Sequence, residues 1–374
     1  MKKTLLVTLD FYPNIGGVSH YWEQLGSQMS SSMWMVLAPG LRTGDTELSV
    51  PYRIDRASFI KKKSFPKWLP LLIHTWRVIK KEKSKTLIAA QVLPVGTVCF
   101  ILHTLLHIPY IVSTHGMDIL LPLKNPWKRF LVQLVLQGAQ NIIANSTYTA
   151  YHLATYGIPE KKIKIIYPCP TPVSNNVGEP SEKVRIILSQ CKGKKVLLTI
   201  ARLVRRKGHE YVLKALVDVK KTMPDIQYLI VGEGPMRREL EERVSNLHVH
   251  ENTLFTGLLS DNDMSHLMKR CDVFIMTPIT IDGDVEGFGI VYLDAGVHGK
   301  PVIGSRSGGV GEAVIDGETG LLVDEKNSDH IRDAIIKIFS DESFAKKFGE
   351  RGRERALRDF KIENEAEKLK TLLA

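Results

Sequence analysis

Cysteine is scarce in this 374-residue chain, which has four cysteines with no C-x-x-C pair and no histidine at ligand spacing. This pattern excludes a disulfide framework, gives no sign of a zinc site, and makes reducing cytosol the expected environment. A long uninterrupted apolar run is also lacking, because the longest one, residues 87–112, is broken by proline, glycine and histidine. No transmembrane helix is therefore expected. The N-terminal MKKTLLVTLDF is interrupted by Asp10 and predicts a buried strand, not a signal peptide.

The composition is that of a soluble globular protein, with 44% hydrophobic and 24% charged residues. Such values exclude disordered and collagen-like chains. A chain of this length exceeds one compact core, so two domains are expected.

Acidic residues are few in the first half. Residues 1–170 hold 20 Lys and Arg against 8 Asp and Glu, whereas residues 171–374 hold 31 against 32. Since the whole excess of positive charge lies in the N-terminal half of the sequence, we expect the N-terminal domain to bind an anionic surface.

The excess is concentrated in residues 56–85, which carry ten basic residues and a single acid, Glu82. Tryptophan, phenylalanine and leucine alternate with these cations at near-helical spacing, which is typical of a helix lying in the plane of an anionic membrane. The alternative is a surface helix whose apolar residues face the core and whose lysines are solvated. The predicted membrane contacts are Lys61, Lys62, Lys63, Lys67, Trp68 and Trp76. No nucleic-acid-binding motif accompanies the charge, so nucleic acid is not an expected partner.

Apolar runs followed by a loop and a helical pattern recur along the chain, which predicts βα units around parallel sheets. The segment 171–183 is rich in Pro, Ser, Asn and Gly and predicts a linker, after which the same rhythm restarts. The fold class is therefore α/β, with two domains in tandem.

Three loops have the composition of ligand-binding loops. Gly16 and Gly17 lie between a strand and a helix, where a phosphate could approach the helix start, although a plain tight turn is the alternative. Residues 201–208 follow a strand and offer Arg202 and Lys207 to a diphosphate, with Arg205 and Arg206 expected to face solvent. A solvated basic loop is the alternative reading of that cluster.

The third loop contains Glu286 and, eight residues later, Asp294, with Gly287 and Gly289 between them. This spacing predicts one carboxylate at the start of a helix and the other about two turns along the same face, so a single ligand could span both. Just before them, Asp282-Gly283-Asp284 is expected to be an acidic surface loop, and a metal site is the weaker alternative.

These segments together resemble a known family. EGFGIVYLDA, KPVIGSRSGGVGEAV, DGETGLLV, ARLVRRKGHEYVLKAL and YLIVGEGP, with the paired glycines of the first loop, are similar to the retaining glycosyltransferases of family four. The resemblance runs nearly end to end and implies the GT-B fold, two Rossmann-like domains facing each other across a cleft. It implies an acceptor-side domain at 1–172, a nucleotide-sugar domain at 184–354, and a C-terminal helix, 355–374, returning to the first domain.

The resemblance also implies roles for residues. Glu286 would contact donor-sugar hydroxyls, Arg202 and Lys207 the leaving diphosphate, and His115 the donor sugar, which makes these four the expected catalytic residues. Asp294 stands where the family usually has Glu and would bind the ribose. The remaining expected donor-binding residues are Gly16, Gly17, Gly232, Gly287, Phe288, Gly289 and Ile290.

The implied activity is metal-independent, retaining transfer of a hexose from a nucleotide diphosphate sugar, with GDP-mannose favoured and no cofactor. The implied acceptor is a lipid-linked or glycan molecule of the cell envelope, met by a cytoplasmic enzyme peripherally bound to the inner face of the membrane. A UDP-sugar-dependent transferase of the same family, a sugar-nucleotide epimerase of the same fold and a non-catalytic nucleotide-binding protein are the alternatives.

Overall fold

The structure is a computed structural model that describes residues 2–13, 16–41, 49–59, 65–173 and 178–374. The chain divides into two compact units. The first unit comprises residues 1–169 and 360–374, and the second comprises residues 170–359. Both are parallel α/β units, which confirms the fold class expected from the sequence.

The first unit, as far as it is described, is built on a sheet of seven parallel strands. They are β1 (Thr4–Val7), β2 (Trp34–Pro39), β3 (Arg53–Ala57), β4 (Thr86–Ala89), β5 (Tyr110–Thr114), β6 (Asn141–Ala144) and β7 (Ile163–Ile165). Their order in the sheet is β3-β2-β1-β4-β5-β6-β7. The direction of the order reverses between β1 and β4, and in open α/β sheets ligands bind beyond the carboxyl ends of the strands at such a point.

Helices cover both faces of this sheet. They are α1 (Gly17–Ser27), α2 (Leu69–Glu82), α3 (Thr97–Leu106), α4 (Met117–Leu120), α5 (Pro126–Gly138) and α6 (Thr147–His152). Successive side chains of a strand point to opposite faces. Leu5 and Val7 accordingly lie in the core beneath α2, α3 and α5, whereas Leu6 lies in the core beneath α1.

The second unit contains a sheet of six parallel strands. They are β8 (Lys195–Ile200), β9 (Ile226–Val231), β10 (Thr253–Gly257), β11 (Val273–Ile275), β12 (Val302–Ser305) and β13 (Gly320–Val323). The order is β10-β9-β8-β11-β12-β13, so the reversal falls between β8 and β11. The loops after these two strands therefore occupy the expected ligand position of this unit.

The helices of the second unit are α7 (Glu182–Gln190), α8 (His209–Thr222), α9 (Arg237–Asn246), α10 (Asp261–Arg270), α11 (Ile290–Val297), α12 (Val310–Ala313), α13 (Ser328–Ser340) and α14 (Glu342–Asp359). Several begin at a capping side chain. Ser181, Ser260 and Asn327 each accept a hydrogen bond from a backbone N–H in the first turn of the following helix. Such caps satisfy donors that a helix start leaves unpaired.

The last helix, α15 (Ile362–Leu372), belongs to the first unit. Its Ala366 and Leu369 lie in the core that contains α1. The backbone N–H of Tyr167 donates to the carboxylate of Glu365 at 2.9 Å, which fixes the helix to the end of the first unit. The boundaries between units fall at 169/170 and 359/360. Among the helices of the described residues, none combines the length and apolar character needed to cross a bilayer.

Candidate active site

The turn after β8 packs against the loop after β11. Arg205–Lys207 form a single 3-10 turn that ends at Gly208, whose φ of 71° is in the left-handed region. A Cβ atom on Gly208 would lie only 1.8 Å from the carbonyl oxygen of Thr277. The backbone N–H of Ile279 donates to the carbonyl of Arg206 at 2.7 Å. Glycine is required here because both the backbone angle and the close approach exclude a side chain.

An ion cluster lies between these two loops. Oε2 of Glu286 is 2.5 Å from Nζ of Lys207 and 2.5 Å from Nη1 of Arg206. Nε of Arg206 also lies 2.9 Å from Oδ1 of Asp284, an ion pair that lacks hydrogen-bond alignment. The side chains of Glu286, Lys207 and Arg206 are 12%, 13% and 18% exposed, so this cluster is largely shielded from water.

The neighbouring charges keep Glu286 ionised. Burial raises its pKa, but the charges of Lys207 and Arg206 and their hydrogen bonds outweigh burial, so the pKa is lowered from its usual value. Burial lowers the pKa of Lys207, and Glu286 opposes this effect. Oε1 of Glu286 has no hydrogen-bond partner within the described chain, so this oxygen is left to accept a bond from a ligand.

Arg202 lies at the carboxyl end of β8, next to the loop after β9. A Cβ on Gly232, whose φ is 136°, would lie 2.0 Å from the carbonyl oxygen of Ala201. This contact explains the glycine at 232. The side chain of Arg202 is exposed and forms no ion pair with any residue that the structure describes, unlike Lys207.

The start of α11 completes this edge of the second unit. Gly289, with φ of 90°, is the residue before the helix, which begins at Ile290. The carbonyl of Glu286 accepts the N–H of Gly309 at 2.9 Å, which fixes the segment leading into the helix. Phe288 is 2% exposed, so its side chain is part of the core and only its backbone is available to a ligand. Free N–H groups at a helix start favour anions.

Asp294 is held by the backbone at the beginning of the second unit. Its Oδ1 accepts the N–H of Thr171 at 2.7 Å. The helix starts at Ile290, four residues after Glu286, so Asp294 lies about one turn into the helix, and the expected separation of two turns along one helix face was wrong. The reason is that Gly289, with φ of 90° and ψ of 62°, takes the left-handed conformation directly before the helix, so the helix does not continue back to Glu286.

The paired glycines of the first unit have different surroundings. Gly16 precedes α1, and a Cβ there would lie 3.2 Å from Oδ2 of Asp10. Gly17 is the first helical residue, and a Cβ there would meet no atom within 4 Å. A Cβ at 16 would meet only the carboxylate of Asp10 and a Cβ at 17 would meet no atom, so no backbone contact requires glycine at either position.

His115 follows β5 in the first unit. Its Nε2 lies 3.0 Å from the carbonyl oxygen of Ala90 and 3.2 Å from Oγ of Ser113. Its backbone N–H donates to Oδ1 of Asp118 at 2.8 Å. Burial lowers the pKa of His115, against the charges of Asp118 and Asp10, so the imidazole is neutral at pH 7.

The predicted membrane contacts fall into three groups. Lys61, Lys62 and Lys63 lie outside the described residues. Trp68 is partly buried and packs against the core that contains α2, so only part of its side chain is accessible to a membrane. Lys67 is exposed, and Trp76 on α2 is 45% exposed.

Sequence reasoning missed part of the site. Arg206 was expected to face solvent and instead bridges Asp284 and Glu286, whereas Arg205 is 60% exposed as expected. Asp284 was expected on an acidic surface loop and is paired with this arginine. One signal in the sequence could have found this pair. Cations follow β8 and acids follow β11, and these are the two strands between which the order of the sheet reverses.

Two parallel α/β units, the second with cations, a carboxylate and a helix start at its switch point, have the arrangement expected of a glycosyltransferase of the GT-B class. Comparison of the sequence with known families then identifies the glycosyltransferase family. Residues 181–355 match the family described as Glycosyl transferases group 1, and residues 15–169 match Glycosyltransferase Family 4. The chain belongs to glycosyltransferase family four, as the motifs predicted.

Known proteins resemble the chain along its full length. It is 29% identical, over 99% of this chain and 98% of the relative, to the GDP-mannose-dependent alpha-(1-6)-phosphatidylinositol monomannoside mannosyltransferase of Mycolicibacterium smegmatis. The solved sucrose-phosphate synthase of Thermosynechococcus elongatus has a TM-score of 0.83 at 22% identity, with 100% of this chain and 98% of that chain covered. Anabaena HepE in complex with UDP-glucose has a TM-score of 0.82 at 19% identity, with 100% and 99% covered.

Proposed function

We propose that this glycosyltransferase transfers a hexose, with retention of anomeric configuration and without a metal ion, from a nucleotide diphosphate sugar to a lipid-linked or glycan acceptor. The observation that carries the proposal is the ion cluster of Glu286. Its Oε2 holds Lys207 and Arg206, while Oε1 accepts no bond from any described side chain. A carboxylate fixed in this way is suited to accept hydrogen bonds from two sugar hydroxyls.

The second unit is proposed to stabilise the leaving group. When the bond between the anomeric carbon and the diphosphate oxygen breaks, its electron pair stays on the diphosphate. Lys207, the exposed Arg202 and the N–H groups at the start of α11 are the cationic and dipolar groups that would meet this charge. Groups arranged in advance in this way are worth several kcal/mol of barrier, on the order of 3 kcal/mol for one donor.

Retention without a covalent enzyme intermediate requires the acceptor oxygen to bond to the anomeric carbon on the face that the diphosphate leaves. We propose that a leaving phosphate oxygen takes the proton of the acceptor hydroxyl, as the family resemblance implies. The products are then the glycosylated acceptor and a nucleotide diphosphate carrying that proton. His115, neutral at pH 7, remains the proposed sugar-contacting residue of the first unit.

GDP-mannose is the favoured donor, because the similar mycobacterial mannosyltransferase is GDP-mannose-dependent. A UDP-linked hexose is the second candidate, favoured by the UDP-glucose complex of Anabaena HepE. The proposed acceptor lies at the inner face of the cell membrane, since residues 1–170 hold 20 basic against 8 acidic residues. The enzyme would be cytoplasmic and peripherally bound.

The test is incubation of the purified chain with single GDP- and UDP-sugars and membrane lipid extract, following release of nucleotide diphosphate. We expect release that depends on the extract, with GDP-mannose the fastest donor, and an α-linked product by NMR. Release without extract, together with an altered free sugar, would indicate an epimerase or hydrolase. Binding without any release would indicate a non-catalytic protein.

Lys207→Gln is the informative variant, and Arg205→Gln is its matched control. Arg205 lies two residues away in the same turn but is 60% exposed and pairs with Glu239. We expect turnover to fall at least about 100-fold for Lys207→Gln, the loss typical of removing one charge-stabilising group. The control is expected to retain wild-type turnover.

A further inference from the structure

Large apolar side chains are exposed to solvent in the segment directly after the loop that contains His115. Met117 is 44% exposed, Leu121 40%, Trp127 68% and Phe130 49%. They lie on α4, on the 3-10 turn Leu121–Lys124 and on α5, three consecutive elements that pack on one another. We refer to these four residues as the α5 face.

The α5 face is not needed to hold α5 in place. The helix buries Val132, Val135 and Leu136 in the core against the sheet. The rings of Trp127 and Phe130 lie 6.0 Å apart on its other side, at the end where the helix begins. A cluster of exposed aromatic side chains beside a complete core is characteristic of a binding surface.

The charges around this face are of one sign. Lys128 and Arg129 lie in the first turn of α5, where a helix favours acidic residues and disfavours cations. Neither forms an ion pair with a described residue. From residue 83 to residue 159 the sequence has one acid, Asp118, and its carboxylate accepts the N–H of His115. Helix stability does not explain these cations, whereas an anionic partner does.

We propose that the α5 face docks the chain on the interfacial layer of an anionic bilayer. Trp127 and Phe130 enter the boundary between headgroups and acyl chains, and Lys128 and Arg129 meet lipid phosphates. Because Met117 is two residues from His115, docking brings the sugar-contacting loop to the layer in which a lipid-linked acceptor lies. The role in acceptor delivery rests on the proposed function, but bilayer binding does not.

α2 extends the same surface. It packs beside α3, and α3 packs beside α5, on one face of the first sheet. Ile73 is 39% exposed and Trp76 45% on the outer side of α2. The contact predicted at Trp76 is therefore one part of the surface, and the α5 face adds Trp127 and Phe130, which are both more exposed than Trp76.

The test is co-sedimentation of the full chain with vesicles of phosphatidylcholine containing about 30% phosphatidylglycerol. We expect Trp127→Ala/Phe130→Ala to weaken binding at least about tenfold, from the apolar area no longer transferred. The matched control is Ile186→Ala/Leu357→Ala in the second unit, where both side chains are about half exposed (51% and 50%). The control is expected to bind as wild type.

A second variant isolates the charges. Lys128→Gln/Arg129→Gln is expected to weaken binding to the anionic vesicles and to leave binding to pure phosphatidylcholine unchanged. Unchanged binding of the aromatic variant to anionic vesicles overturns the proposal. So does a shift from dimer to monomer in the aromatic variant without vesicles, because the face would then be covered by a second copy of the chain.

An activity measurement separates this inference from the proposed function. If no sugar nucleotide is turned over by the wild type, the proposed function fails, while the vesicle result still decides the docking surface. If turnover is found, the aromatic variant should lose transfer to lipid in vesicles at least about tenfold. It should keep wild-type transfer to the same acceptor dispersed in detergent.

Discussion

Replacing Glu286 by glutamine tests the ion cluster of the second unit directly. The substitution keeps the shape of the side chain but removes its charge, so Lys207 and Arg206 lose the carboxylate they share at 2.5 Å. Removing one partner of a buried pair costs about 3–5 kcal/mol. The amide oxygen still accepts one hydrogen bond, and Asp284 still faces Arg206, so about 2–3 kcal/mol of unfolding free energy should be lost.

Urea unfolding measures this loss, with Glu239→Gln as the control. Glu239 pairs with Arg243 and Arg205 on the surface of α9, and it should be replaceable with little effect on stability. Lys207→Gln combined with Glu286→Gln should be less destabilising than the two single losses added together, since the double variant removes both charges. Turnover should fall at least about 100-fold in Glu286→Gln, because the sugar contact is weakened.

The same variant predicts a pH effect with a definite sign. The pKa of Glu286 is lowered in the folded chain, so its contribution is present above the usual glutamate pKa and is lost as pH falls through the lowered value. Glu286→Gln should lack this acid-side loss. The reasoning is refuted if the variant unfolds at the wild-type urea concentration and turns over donor at the wild-type rate.

Further predictions concern two glycine substitutions and the pH dependence of stability. Gly208→Ala should cost at least about 3 kcal/mol in urea unfolding, since a Cβ would lie 1.8 Å from the oxygen of Thr277, whereas Gly193→Ala, also at positive φ but with open space, should cost about 1 kcal/mol. Equal losses would contradict the packing argument. Gly17→Ala should leave stability unchanged or raise it by up to about 1 kcal/mol, because a Cβ there meets nothing within 4 Å. A fall in donor affinity in that variant would assign Gly17 to ligand approach, and unchanged affinity would assign it to the turn alone. Burial lowers the pKa of His209 to about 4 in the folded chain. In the unfolded chain the same imidazole binds a proton near pH 6.5. Stability should therefore fall by about 3 kcal/mol between about pH 6.5 and 4, and His209→Gln should remove that slope in urea unfolding followed across pH.

The fold class was predictable because strands that are buried on both faces leave a visible signal. Strands such as Thr4–Val7 are buried throughout and apolar except for Thr4, and the loops and helical patterns between such strands specify parallel connections. Short or polar edge strands leave no such signal. β3 (Arg53–Ala57) has the sequence RIDRA with no fully buried residue, so its place in the sheet depends on pairing with β2 and not on its own composition.

The loops that form the site were predictable from the sequence, but the contacts between their side chains were not. Lys207 was expected in a loop after a strand and Glu286 at the start of a helix, both as ligand-binding residues, and the two side chains contact each other. That Arg206 and not Arg205 turns inward is decided by the single 3-10 turn ending at Gly208, a feature of a few backbone angles. Asp294 was predicted as a ribose ligand and accepts the N–H of Thr171, a contact 123 residues apart that no local pattern encodes.

The proposed mechanism depends most on the claim that the turn after β8 binds the diphosphate of the donor. Calorimetric titration of GDP and UDP into wild type, Lys207→Gln and Arg205→Gln measures this claim without any acceptor. We predict that wild type and Arg205→Gln bind alike and that Lys207→Gln binds at least about tenfold more weakly. Equal affinity of all three proteins, or no binding of either nucleotide by the wild type, would contradict it.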